Sequence, residues 1–286
     1  MAKILGIIGS QRHLGNGEIL VKAIADAAGP EHTLELLRLA EFNLLPCKAC
    51  YKCTGTDGRC ILDDDLNLII DKMVEADAII ISTPTYVRGP AGILKTLGDR
   101  VIAIAQHLDQ LYQKPTVVVA THGPAGDEGY ALTAAVALAR MMGLGVKDAY
   151  TYLGALPGEC IQTEGNMERI QQMAQALFGQ RRPAGEFECP YCGGNIWKFR
   201  QPNLAYCPIC MTEDRMTVQP DGTITHTYGD SPTQVFGYDW LNNHFRADLS
   251  AGVKDFKAKN QALREIRGRY KRDDDHWIKK ADDQPQ

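Results

Sequence analysis

The chain has 286 residues, 44% of them hydrophobic and 23% charged, with a net charge of −4. This is globular composition with room for one large domain or two unequal ones, and the acidic balance argues against nucleic acid or an anionic membrane as partner. No apolar run reaches the roughly 18 residues of a spanning helix, and "MAKILGIIGS" reads as a first strand because its apolar core is too short for a leader; the expectation is a cytoplasmic protein.

The first 180 residues alternate two periodicities. Continuous apolar runs predict buried parallel strands at "KILGIIG" (3–9), "TLELLRL" (33–39), "AIIIST" (78–83), "PTVVVAT" (115–121) and "VKDAYTYLG" (146–154). Helical patterns fall between and after them, at 17–28, 65–75, 91–106, 128–143 and 164–178. Five strands alternating with five helices predict a doubly wound α/β sheet with right-handed crossovers. "GQRRPAGEFECP" (179–190) breaks the pattern and reads as a linker. Trp197, Trp240 and Trp277 all lie beyond it, which supports a boundary there. The expected units are 1–180, a short-stranded cysteine module at 188–227, and an extension at 228–286. Within the extension, 229–248 shows no clear period. Residues 252–272 carry eight basic against two acidic side chains and a partial apolar stripe, and predict a basic helix.

Three loops at strand ends point to a ligand. "GSQRHLGNG" (9–17) joins the first strand to the first helix, where backbone N–H groups favour an anion. Ser10 and Asn16 offer side-chain donors and Arg12 offers charge. Neither G-x-G-x-x-G nor G-K-[ST] is present, so one phosphate, as in FMN, fits better than a pyrophosphate. "TPTYVRGP" (83–90) and "THGPAGDEG" (121–129) end two further strands at the same sheet edge, where ligands of open α/β sheets sit. A turn without a ligand is the plain alternative for each loop alone.

Nine cysteines fall into two sets and one odd member. Cys47, Cys50 and Cys53 repeat at C-x2-C-x2-C, with Cys60 following, in a loop expected to span 46–61. That spacing wraps a coil around a cubane iron–sulfur cluster, as ferredoxin ligands do. Zinc is the rival, although its sites usually use two separated pairs. Cys189-x2-Cys192 and Cys207-x2-Cys210, fourteen residues apart, form two knuckles that predict one tetrahedral S4 site holding zinc or mononuclear iron. Cys160 reads as a small buried hydrophobe. His13 and His122 read as loop histidines, and Asp99 with Arg100 as a local ion pair or an interface contact.

"GSQRHLGN", the compact cysteine stretch, "CILDDDL" and "STPTYVRGPAGILKTLGDR" (82–100) together resemble the iron–sulfur flavoprotein family, a branch of the NADPH-dependent FMN reductases, over about residues 3–155. The resemblance implies a flavodoxin-like strand order 2-1-3-4-5. It implies FMN phosphate at Ser10, Arg12 and Asn16, with Gly17 standing where the family usually has Ser or Thr. It implies the flavin ring near Pro84, Thr85, Tyr86 and the turn Thr121, His122, Gly123. It further implies a 4Fe–4S centre on the first cysteine set and a homo-oligomer, dimer or tetramer. The expected function is electron transfer from a ferredoxin-like donor through the cluster and FMN to an acceptor. The alternatives are an NAD(P)H-dependent FMN or quinone reductase, and a redox sensor whose ribbon binds nucleic acid; the acidic total weighs against the last.

Overall fold

The computed structural model describes residues 1–54, 58–229 and 235–271. In chain order it runs β1 (Lys3–Ile8), α1 (Asn16–Ala28), β2 (Thr33–Arg38), α2 (Leu66–Glu75), β3 (Ala78–Tyr86), β4 (Gly89–Pro90) and α3 (Gly92–Gly98). There follow α4 (Leu108–Leu111), β5 (Pro115–His122), α5 (Ala131–Met141), β6 (Gly145–Leu153), α6 (Glu159–Gln162) and α7 (Asn166–Phe178). The five long strands lie parallel in the order β2-β1-β3-β5-β6, and β4 pairs antiparallel with the end of β3. Counting the parallel strands alone, this is the flavodoxin-like 2-1-3-4-5 expected.

Both faces of the sheet are sealed, so its strands carry unbroken apolar runs. Leu5, Ile7, Ile79, Ile81 and Val118 face α2, α3 and α5. Ile4, Ile8, Ile80, Val117 and Val119 face α1 and α7. Gly6 sits where α1 comes closest: an added Cβ would lie 2.4 Å from Val21 Cγ1 and 2.9 Å from Leu36 Cδ2.

The stretch 91–106, expected as one helix, is broken. α3 ends at Gly98, Arg100 takes φ −110° and ψ 12°, and a 3-10 segment runs over Val101–His107 before α4. The break turns Arg100 inward, where only 3% of it is exposed.

Beyond α7, β7 (Lys198–Gln201), β8 (Leu204–Tyr206), β9 (Glu213–Val218) and β10 (Ile224–Tyr228) make an antiparallel sheet. The segment expected as a linker is in fact docked on the main sheet. The Arg182 N–H donates to the Lys147 carbonyl at 2.9 Å, and its guanidinium pairs with Asp148 and Glu188 at 2.7 Å each. α8 (Tyr238–Asn243), a π-turn over His244–Asp248, α9 (Leu249–Ala258) and α10 (Asn260–Tyr270) follow. The basic helix is thus two helices that meet at Lys259, and α10 buries nothing. Residues 55–57 of the cysteine loop, Arg272 and Trp277 lie outside the described residues. Among the described residues no helix is long and apolar enough to cross a membrane.

Gly6→Ala tests the helix–sheet contact. Overpacking at this site is expected to cost about 1–3 kcal/mol, read as a lower urea midpoint at unchanged m-value.

Candidate active site and metal centres

The carboxyl ends of β1, β3, β5 and β6 enclose a cleft of about 220 Å³. Ser10, Arg12, Asn16, Gly17, Pro84, Thr85, Tyr86, Thr121, His122 and Gly123 all line it. The cleft thus gathers the three predicted loops. Gly15, Gly154 and Ala155 complete the wall and were not foreseen.

The α1 N-terminus has no side-chain cap, so its first-turn N–H groups remain for an anion. Ser10 Oγ accepts the Arg12 N–H at 3.1 Å and keeps its own proton to donate. Arg12 reaches the Ala155 carbonyl at 3.3 Å across the cleft. Asn16 plays a different part from the one expected: its amide donates to the Gly154 carbonyl and accepts from the Gly158 N–H, each at 2.8 Å. Its side chain therefore staples the β6–α6 turn to the loop. Gly154 must be glycine, because a Cβ there would sit 2.9 Å from Asn16 Nδ2 and 2.8 Å from the Cys160 nitrogen.

Thr85 Oγ1 is buried and has no partner among the described residues. In a cleft wall, such an orphan fits a bound polar ligand. His122 Nδ1 donates to the Pro124 carbonyl at 2.9 Å, which leaves Nε2 an acceptor. Beside it, β3 and β4 turn through Val87 (φ 50°) and Arg88 (φ 65°), a strained pair for non-glycine residues. The Arg88–Asp127 ion pair at 2.9 Å and the Tyr130 N–H on the Arg88 carbonyl at 2.8 Å brace it.

Beneath the anion loop lies a buried ion pair that the sequence reading missed. Arg38 Nη2 donates to Glu18 Oε2 at 2.6 Å, and Nη1 donates to the carbonyls of Ser10 and Arg12 at 3.2 and 3.0 Å. Burial pushes the Glu18 carboxyl up, but hydrogen bonds from Lys22, Arg38 and the Leu14 N–H outweigh it and hold the group at about 2.

The first cysteine set forms a second site. Cys47, Cys50, Cys53 and Cys60 line one cavity, together with Tyr51, Ile61 and Arg100. The loop leaves β2 at the same sheet edge and closes on itself: the Asn43 N–H donates to Asp65 at 2.7 Å and the Leu45 N–H to Asp64 at 2.9 Å. Asn67 fixes the Cys60 backbone with reciprocal bonds of 3.0 and 2.9 Å. Burial, then the neighbouring thiols, raise the Cys53 thiol. The expected Asp99–Arg100 pair does not form. Asp99 pairs with Lys95, and Arg100 with the buried Asp64.

The second set converges fully. Cys189, Cys192, Cys207 and Cys210 place their sulfurs within 4.8 Å of one another, and all are at most 2% exposed. Cys189–Cys210 and Cys192–Cys207 stand 3.4 Å apart, too far for disulfides and suited to one tetrahedral ion. The four loop cysteines share one cavity instead. The ribbon is anchored by Arg140 Nε on the Cys192 carbonyl at 3.1 Å and by Arg181 on the Tyr191 carbonyl at 2.8 Å. Cys160 is buried, and burial pushes its thiol up to about 11, which makes it inert.

Residues 2–154, carrying both the cleft and the cysteine loop, match the NADPH-dependent FMN reductase family. The chain belongs to that family. Its members are FMN-dependent oxidoreductases, and the orphan Thr85 hydroxyl, the uncapped helix and the Ser10–Arg12 loop fit their cofactor. An iron–sulfur flavoprotein of Methanocaldococcus jannaschii is 40% identical over 99 residues, 34% of this chain and 51% of its own length. The chain thus spans about half the length of the iron–sulfur flavoproteins it matches. A flavone synthase of Aspergillus candidus is 26% identical, over 91% of this chain and 93% of its own. A solved flavone reductase shares the fold, with a TM-score of 0.71 at 18% identity, over 97% of this chain and 100% of that one.

Glu18→Gln is expected to cost about 3 kcal/mol at neutral pH, since it breaks a buried pair. The folded carboxyl titrates at about 2 against an ordinary 4.5, so its contribution is complete above 4.5 and lost as pH falls toward 2. The wild-type advantage over the variant should therefore shrink through that window, as read by urea unfolding at stepped pH.

Proposed function

We propose that this chain is an FMN- and 4Fe–4S-containing oxidoreductase that takes single electrons from a ferredoxin-like donor and delivers them through the flavin to an acceptor. The observation that carries the reading is that four cysteines line one cavity at the same sheet edge as the cleft. Bound there, FMN supplies one- and two-electron chemistry and the cluster supplies single electrons. The residues do the rest. Ser10, Arg12 and the first N–H groups of α1 hold the phosphate, and Arg38 fixes their loop from behind. Thr85 donates its unpartnered hydroxyl to the ring system. His122, locked by Pro124, presents an acceptor. Cys47, Cys50, Cys53 and Cys60 hold the cluster, with no access required from the ribbon.

The ribbon is read as a zinc site that supports the fold. Its four thiols are at most 2% exposed and form the buried centre of a small module with few other buried apolar side chains, so a bound ion would hold the module together.

A second reading is favoured by the similarity to a flavone reductase and a flavone synthase across almost the whole chain, extension included. On this reading FMN held in the cleft would take hydride from NAD(P)H and pass a hydride to a planar aromatic heterocycle bound over it. Anaerobic titration with NADPH and, separately, with reduced ferredoxin separates the two readings. Flavin bleaching by ferredoxin alone, with an EPR signal, supports the first; bleaching by NADPH with no such signal supports the second.

Two measurements test the cofactor sites. Ser10→Ala with Arg12→Ala should weaken FMN binding at least tenfold, the loss of one charge-assisted hydrogen bond of about 1.5 kcal/mol or more; unchanged affinity would move the phosphate elsewhere. Alanine at Cys47, Cys50, Cys53 or Cys60 should remove acid-labile sulfide and most of the roughly 4 irons of a cubane centre, while FMN and one zinc per chain remain. A wild type that holds zinc alone defeats the cluster.

A further inference from the structure

Arg100 is buried at the neck of the cysteine loop, outside the flavin cleft. Its Nη2 donates to Cys60 Sγ at 3.0 Å and to Asp64 Oδ1 at 3.0 Å. Its Nη1 donates to the Leu45 carbonyl at 3.0 Å and to the second Asp64 oxygen. The side chains of Arg100 and Asp64 are 2% and 0% exposed. One guanidinium therefore joins the residue two before Cys47 to Cys60 itself. Its Nε–H is buried without an acceptor among the described residues, and Arg100 lines the cavity that the four cysteines share. The residue that binds Cys60 thus also lines the cavity and keeps one donor without an acceptor among the described residues.

We propose that Arg100 sets the reduction potential of the cluster through its hydrogen bond to the Cys60 sulfur, and so acts as a tuning residue for electron entry. The proposal rests on the cluster reading above. A guanidinium stays cationic at any working pH. Four thiolates around an iron–sulfur centre carry net negative charge, and reduction adds one more. A fixed cation held out of water at one thiolate stabilises the reduced form more than the oxidised form. Hydrogen bonds to cluster sulfurs act in the same direction. Asp64 opposes this in part, because its carboxylate lies against the same guanidinium. Potential thus depends on the balance of two buried side chains that ligate nothing.

The two charges give the test opposite signs. Full-length wild type, Arg100→Gln, Arg100→Lys and Asp64→Asn are reconstituted anaerobically with iron and sulfide. Each is then titrated with dithionite and mediators, with the reduced cluster followed by EPR. Arg100→Gln should shift the midpoint to more negative potential and Arg100→Lys by less. Asp64→Asn should shift it to more positive potential. If Arg100→Gln does not hold a cluster, Arg100→Lys and Asp64→Asn still carry the comparison. A clasp that only closes the loop would lower cluster content in every variant and leave the loaded fraction at the wild-type midpoint; that result overturns the proposal. Shifts of one sign in all variants overturn it as well. A wild type that takes up no acid-labile sulfide overturns the cluster reading beneath it, and is told apart by iron and sulfide analysis before any titration.

Discussion

The guanidinium of Arg38 lies between the Glu18 carboxylate and the carbonyls of Ser10 and Arg12, almost sealed from water. A buried charge is tolerated only when paired and hydrogen-bonded. Here one group satisfies the first helical turn, the anion loop and the end of β2 together. Leu14 stands at φ 50° beside it, and its N–H is taken by the same Glu18. The anion loop is therefore a rigid object before any ligand arrives, and affinity for a phosphate is not spent on ordering it. The chain that leaves Arg38 goes directly into the cysteine loop, so this pair also fixes where the metal-bearing segment departs from the sheet.

Much of this was legible in the residues. Apolar runs such as "AIIIST", short and rich in β-branched residues, read as strands sealed on both faces, and their alternation with helices leaves few topologies. The loop at 9–17 announced itself by position, and both cysteine sets by spacing. Three features were not legible, each for a physical reason. Arg100 looked like the partner of its neighbour Asp99: Gly98 marks a weak point in the helix, but nothing local shows that the break swings the side chain toward residue 64. Asn16 looked like a ligand donor; its true partners lie some 140 positions away at Gly154 and Gly158. Arg38 ends a strand whose other charged residue, Glu35, pairs with Lys3 and Lys72 at the surface, and nothing local separates the two; the partners that bury Arg38 are Glu18 and the carbonyls of Ser10 and Arg12. The helix at 238–243 was not legible either: 229–248 shows no clear period, and only the structure shows Leu241 and Phe245 buried and Trp240 stacked on His244 at 5.0 Å.

The C-terminal extension is tied to this design from behind. Phe245 and Leu241 pack on the core beside Leu108, Tyr112 meets Tyr238 edge to face at 5.3 Å, and Arg246 reaches the Ala105 carbonyl at 3.3 Å. These contacts all fall on the 101–112 segment that follows Arg100. The extension thus steadies the irregular stretch that carries the inward-turned arginine.

The ribbon's four sulfurs, at most 2% exposed and wedged against α5, also have a kinetic meaning. An ion bound among them cannot be reached by a chelator from solution while the ribbon stays docked. Its release must wait for the Arg140 and Arg181 contacts to open, so the rate of metal exchange reads out how often that docking breaks. With excess chelator and fast recapture, the rate follows the opening equilibrium, as hydrogen exchange does for a buried amide. A single spectroscopically visible ion placed there would therefore serve as a clock for one local motion.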